Sequence, residues 1–122
     1  MIESKADTEE SALEVIHRYL NGLFEGRPSD VIGLYGTGAQ VIRYEGVARD
    51  EDILLFLELL VQSRRGGNLV SIDRLVAIDG TISWDATIQT NEGPIQTSDV
   101  FILSSDGLVL QHVPRLLGYW GS

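Results

Sequence analysis

Five polar residues in this chain stand where acid–base chemistry is possible: Tyr19, Arg43, Glu45, Asp99 and His112. Asp99 is the least ordinary. Over 97–103 the odd positions are Thr97, Asp99, Phe101 and Leu103, so a carboxylate shares one strand face with two large apolar side chains. A carboxyl in such a place either keeps its proton and donates a hydrogen bond, or finds a cationic partner. Arg43 is the obvious partner; it shares a strand face with Val41 and Glu45. A guanidinium inside a pocket can bind a carboxylate or a polarised carbonyl, or it can neutralise Asp99 or Glu45. Glu45 is a candidate base, and equally a residue for an exposed rim. His112 follows the Asp106-Gly107 turn, on a face with Leu108, Leu110 and Pro114. Its imidazole suits proton transfer near neutral pH, and a lone histidine on an apolar face also fits a satisfied core position. Tyr19, among apolar neighbours, is either a core tyrosine or a pocket hydroxyl.

The elements that must position these residues follow from periodicity. Leu13, Ile16, Leu20, Leu23 and Phe24 recur at helical spacing over 9–25, and Gly26 stops that helix, with His17 off the buried stripe. Pro28 opens a short second helix running to about Tyr35. Gly36-Thr37-Gly38 reads as a turn, and 39–45 as a strand ended by Gly46. Asp50 is the expected N-cap of a third helix over 51–62, with Glu51 and Asp52 suiting its dipole. Residues 64–68 form a loop. Four strands follow at 69–78, 81–90, 95–104 and 108–117, joined by Asp79-Gly80, Asn91-Glu92-Gly93 and Ser105-Asp106-Gly107. The order ααβαββββ predicts an α+β fold with three N-terminal helices on one face of a mostly antiparallel sheet. In 81–90, Ile82, Trp84, Ala86 and Ile88 make the buried face.

At 122 residues and 43% hydrophobic the chain is one domain with a real core, 9–122, after a loose leader at 1–8. Nine basic against eighteen acidic residues give a net charge of −9, which repels phosphate backbones and argues against nucleic-acid binding. The absence of cysteine excludes disulfides and thiolate metal sites. No histidine–carboxylate spacing suggests a metal, and Gly66-Gly67 lacks the following helix start of a phosphate loop, so no metal, nucleotide or other cofactor is expected. The polar, acidic start is unlike a signal peptide, and no apolar run is long enough to span a bilayer; a cytoplasmic protein is the expectation.

Two blocks resemble the ketosteroid-isomerase branch of the SnoaL-like or NTF2-like proteins. The first runs from Arg18-Tyr19 through Gly26, Val31-Ile32 and Leu34-Tyr35 to Ala39–Val41; the second is Ser98-Asp99-Val100-Phe101-Ile102-Leu103, the Asp106-Gly107 turn and the strand after it. The closing Gly118-Tyr119-Trp120 is also similar. The resemblance implies a cone-shaped α+β barrel around an apolar pocket walled by Trp84, Ala86, Ile88, Phe101, Val41 and Leu116. It places that branch's oxyanion-binding tyrosine at Tyr19 and its protonated aspartic acid at Asp99. The position of its base falls on Arg43, which stays protonated and cannot act as one.

The expected function is therefore an isomerase or cyclase for a hydrophobic, carbonyl-bearing small molecule, steroid- or polyketide-like. Tyr19 and Asp99 would be the donors, His112 or Glu45 the base, and Arg43 would orient an acidic group. A non-catalytic ligand-binding or dimerisation module stands beside it, as does an epoxide hydrolase-like enzyme using Asp99 and Arg43. Homodimerisation is expected through the outer sheet face, at Val100, Ile102, Val109 and Val113.

Overall fold

Alternating apolar residues in three long strands, and two helices each with one apolar stripe, leave one economical solution: the helices cover one face of the sheet. The computed structural model describes residues 9–119. The expected 1–8 leader and Trp120 lie outside them. The elements are α1 (Glu9–Phe24), α2 (Pro28–Ile32), β1 (Tyr35–Arg43), β2 (Gly46–Arg49), α3 (Glu51–Arg64), β3 (Asn68–Ile78), β4 (Thr81–Thr90), β5 (Gly93–Leu103) and β6 (Val109–Tyr119). They form an α+β fold in which a curved six-stranded sheet, ordered β2-β1-β6-β5-β4-β3, carries the helices. Among the described residues only the β1–β6 pairing is parallel.

The core is built from the inward faces. Ile82, Trp84, Ala86 and Ile88 of β4 meet Ile95 and Phe101 of β5, and against them lie Ile16, Leu20 and Leu23 of α1 with Leu57 of α3. In α1 the buried stripe is Ala12, Ile16, Tyr19, Leu20 and Leu23; Leu13 is turned to its edge, and His17 is exposed. Gly26, at φ 72°, takes the left-handed conformation that ends the helix, and Arg27 N–H closes back on Gly22 O at 2.8 Å.

Several expected boundaries are corrected. Gly36-Thr37-Gly38 is not a turn but part of β1. Its pairing with β6 jumps between Tyr35 and Gln40, and Gly38 sits at φ 77°, so the glycines serve a bulge inside a strand. Gly46 does not end the structure there: it opens β2, which folds back on β1 through Tyr44-Glu45. That pair carries no turn signature, which is why β2 was invisible. α2 stops at Ile32, short of Tyr35, and α3 continues to Arg64. Asp50 precedes α3 without capping it; its side chain makes no cap hydrogen bond, and its φ is 53°.

Register also corrects β6. Between the pairs Leu103↔Val109 and Ile102↔Gln111 one residue, Leu110, is extra. The bulge resets the alternation so that both Val109 and His112 point inward. Val109 is consequently core and not part of the outer face proposed for dimerisation, while Leu108 and Leu110 do not share the His112 face. Val100, Ile102 and Val113 stay half-buried, and the outer face also carries a polar cluster. Arg74 grips Asp85 with two hydrogen bonds, 3.0 and 2.9 Å, and Ser98 donates to the same carboxylate at 2.7 Å. These bonds, led by the one from Arg74, hold the Asp85 carboxyl below its usual range.

Candidate functional site

A cavity of about 590 Å³ opens between the inner sheet face, α1, α3 and the β1–β2 hairpin. Its inner wall is the buried trio Tyr19, Trp84 and Asp99. Leu20, Leu23, Phe56, Leu60 and Ile88 give it an apolar middle. Its rim holds Arg43, Glu45, Arg64 and the half-exposed Leu116.

The topology explains this gathering. Asp99 on β5 lies opposite Trp84 on β4 and Pro114 on β6. Phe101, two residues along the same face, lies opposite His112, and His112 in turn opposite Val41 of β1. Tyr19 projects from α1 onto this surface and meets Phe101, His112 and Trp84 edge-on, with centroids at 5.3, 5.4 and 6.2 Å. After Val41 and His112 the parallel pairing of β1 with β6 ceases, and the space between the parting strands belongs to the cavity opening.

Asp99 is not paired with Arg43. His112 Nε2 lies 2.6 Å from Asp99 Oδ2, and His112 Nδ1 lies 2.8 Å from the Tyr35 hydroxyl. One tautomer of the imidazole, with its proton on Nε2, satisfies both contacts. Nε2–H then donates to a carboxylate, and the Tyr35 hydroxyl donates to Nδ1, the tautomer this network assigns. Asp99 is thus an acceptor held in one orientation, with carboxylate capacity left for the cavity that it lines.

His112 is corrected from the expected role of a pocket base. It is fully buried, both ring nitrogens are engaged, and it stands behind Asp99 rather than on the cavity wall. Burial, and next the negative charge of Asp99, push the Tyr19 hydroxyl well above its usual range; the Tyr35 hydroxyl is raised by the same two causes. Both tyrosines therefore keep their protons at any ordinary pH.

Arg43 instead turns Nη1 toward Glu45 at 3.5 Å and rests its guanidinium 5.4 Å over the Phe56 ring. Glu45 is largely exposed at the rim. Three buried polar atoms on cavity-lining residues have no hydrogen-bond partner among the described residues: Arg43 Nε, Trp84 Nε1 and Thr97 Oγ1. Leaving a buried donor unmade is costly, about 1–3 kcal/mol each.

Of the expected walls, Trp84, Ile88 and Leu116 line the cavity, whereas Ala86, Phe101 and Val41 do not; they are fully packed core beneath it. Sequence reasoning missed Tyr35, whose link to His112 spans 77 residues and has no local signal. It also missed Phe56, Leu60 and Arg64 as cavity residues. Their spacing of four along α3 was a usable signal, hidden by ending that helix at residue 62. Among the described residues no cluster of three or more His, Cys, Asp or Glu could hold a metal, and no helix is long and apolar enough to cross a membrane.

No protein-family model and no curated protein matches this sequence. Solved structures do. A SnoaL-like protein of unknown function from Burkholderia thailandensis matches with TM-score 0.72 and 11% identity over 95% of this chain and 100% of that one. An NTF2-like protein of unknown function from Cytophaga hutchinsonii gives 0.64 and 8%, over 86% and 88%. The epoxide hydrolase/cyclase-like enzyme SalBIII, described for pyran ring formation in the polyether salinomycin, gives 0.73 and 14%, over 93% and 99%. The chain therefore has the SnoaL-like/NTF2-like fold, one that carries enzymes as well as proteins of unknown function.

Proposed function

We propose that this protein is an enzyme of proton transfer, an isomerase or cyclase acting on a hydrophobic, carbonyl-bearing small molecule within the cavity. The observation that supports it most is the state of Asp99. It is a buried carboxylate, oriented from behind by His112 and Tyr35, and it faces a cavity lined by polar groups that lack partners. Oriented carboxylates beside donors in apolar pockets are the arrangement that proton transfer at carbon requires.

In this reading Asp99 is the base and not, as the sequence suggested, a donor. Its free oxygen takes a proton from the carbon next to the substrate carbonyl. The C–H electron pair becomes the enolate C=C bond, and the carbonyl oxygen takes the negative charge. Tyr19, held protonated, donates to that oxygen; a single such donor contributes about 3–4 kcal/mol to a barrier of this type. Return of the proton from Asp99 to a different carbon completes an isomerisation. Attack of the enolate carbon on a second carbonyl carbon of the same molecule closes a ring instead: the π pair of that carbonyl moves to its oxygen, which takes the proton held by Asp99 and becomes a hydroxyl. His112 does not touch substrate; it is a positioning residue that keeps the Asp99 carboxylate aligned.

A phenol such as 2-naphthol tests the donor half of this site, because its oxygen can accept from Tyr19 while its O–H donates to Asp99. The wild type is expected to bind it, and Tyr19→Phe should weaken binding by at least about tenfold. Equal affinity in both proteins would contradict the reading.

A further inference from the structure

The rim of the cavity is cationic in a protein that otherwise carries a net charge of −9. Arg43 and Arg64 both line it, from β1 and from the last turn of α3. Neither is neutralised in the manner of Arg74, which holds Asp85 through two hydrogen bonds. Arg64 donates through Nη1 to the neutral Ser63 Oγ, and among the described residues no carboxylate lies within ion-pair distance of it. Arg43 gives only Nη1 to Glu45, at the long distance of 3.5 Å, and Glu45 itself is two-thirds exposed and well hydrated. Arg43 Nε, on the opposite side of the guanidinium, is buried without a partner.

A guanidinium is specific in shape: its parallel N–H donors match the spacing of the two oxygens of a carboxylate. A wholly apolar ligand would gain nothing from the guanidinium groups of Arg43 and Arg64, nor from that of Arg115, which also lines the cavity. Between this rim and the buried Asp99–Tyr19 wall lie Phe56, Leu60 and Leu23, an apolar stretch that suits a hydrocarbon body.

Resting on the reading of the cavity as a substrate site, we infer that its ligand is an amphipathic carboxylate: an apolar body whose carboxylate is held by the Arg43 guanidinium, with Arg64 adding a second positive charge.

A matched pair of probes tests this without knowledge of the natural substrate. Binding of 2-naphthylacetate and of its neutral amide, 2-naphthylacetamide, is measured by calorimetry at pH 7. The acid is expected to bind the wild type at least about tenfold more tightly than the amide. Arg43→Gln should reduce the acid to the level of the amide, Arg64→Gln should reduce the preference in part, and both variants should bind the amide as the wild type does, which also shows that they are folded. An acid that binds no better than the amide in the wild type, no detectable binding of either included, overturns the inference. So does a preference that survives Arg43→Gln. The readout involves no proton transfer. A preference that is absent while Asp99 still drives exchange at carbon removes only the anion site; a preference that is present with an inert Asp99 removes only the reaction.

Discussion

At the scale of single residues, the site rests on one buried carboxylate and what stands behind it. His112 and Asp99 are both almost fully enclosed, and each satisfies the other at 2.6 Å. Removing one partner of such a pair leaves the other buried and unpaired. His112→Leu, close in volume and unable to donate, is expected to cost about 3–5 kcal/mol in urea denaturation. A loss under about 1 kcal/mol would mean that water replaces the imidazole. The two tyrosines make a separate prediction. Their folded-state pKa values are raised well above 10.0, through burial first and the charge of Asp99 second. As pH rises past the ordinary tyrosine value, the unfolded chain releases protons that the folded chain retains, so the unfolded state binds fewer and stability falls. The stabilisation is complete below about pH 10 and is lost above it, and Tyr19→Phe should flatten that alkaline decline in chemical denaturation curves.

At the scale of elements, the long-range strand pairings carry the site and the short connections tune it. β4, whose 81–90 bounds were legible in full, shows why: strict alternation and an Asp79-Gly80 turn are local signals. β1, β2 and β6 were read less well because their features are set by partners far along the chain. A strand pattern interrupted by Gly36 and Gly38 looks like a turn until β6 lies beside it and requires a bulge. The inward direction of His112 depends likewise on Leu110 being extra relative to β5. Asp99 stood out in the sequence because polarity on an apolar face is itself a local anomaly, whereas its pairing with His112 and the link on to Tyr35 did not, since nothing between residues 35, 99 and 112 announces that they meet. The junction of β2 and α3 holds its own test. Asp50 sits at φ 53° and ψ −123° with no side-chain cap bond, a conformation that glycine adopts without penalty. Asp50→Gly should therefore stabilise the protein by about 1 kcal/mol, read as a rise of a few degrees in Tm, where an ordinary N-cap would lose stability on the same change. A fall in Tm would show that the carboxylate does help the helix start.

At the scale of the whole molecule, charge and cavity oppose one another. A chain with net charge −9 repels itself in the folded state. Screening by salt should relieve this, so Tm is expected to rise between low salt and about 0.5 M NaCl, where the Debye length is only a few ångströms. An unchanged or falling Tm would mean that local ion pairs, Arg74–Asp85 foremost, outweigh the long-range repulsion. Against this acidic background the cavity gathers Arg43 and Arg64 at its opening and a lone carboxylate, Asp99, at its inner wall. The fold alone does not decide what such a cavity does, because the same architecture serves proteins of different function. The chemistry assigned to Asp99 does. It is tested most directly by the exchange of α-carbon protons of 2-tetralone, a small apolar ketone, for deuterium in D₂O, followed by NMR. The wild type is expected to accelerate exchange well above buffer, and Asp99→Asn to lose at least about a hundredfold of that acceleration while remaining folded. Exchange at the buffer rate in the wild type, or an undiminished rate in Asp99→Asn, would contradict the account.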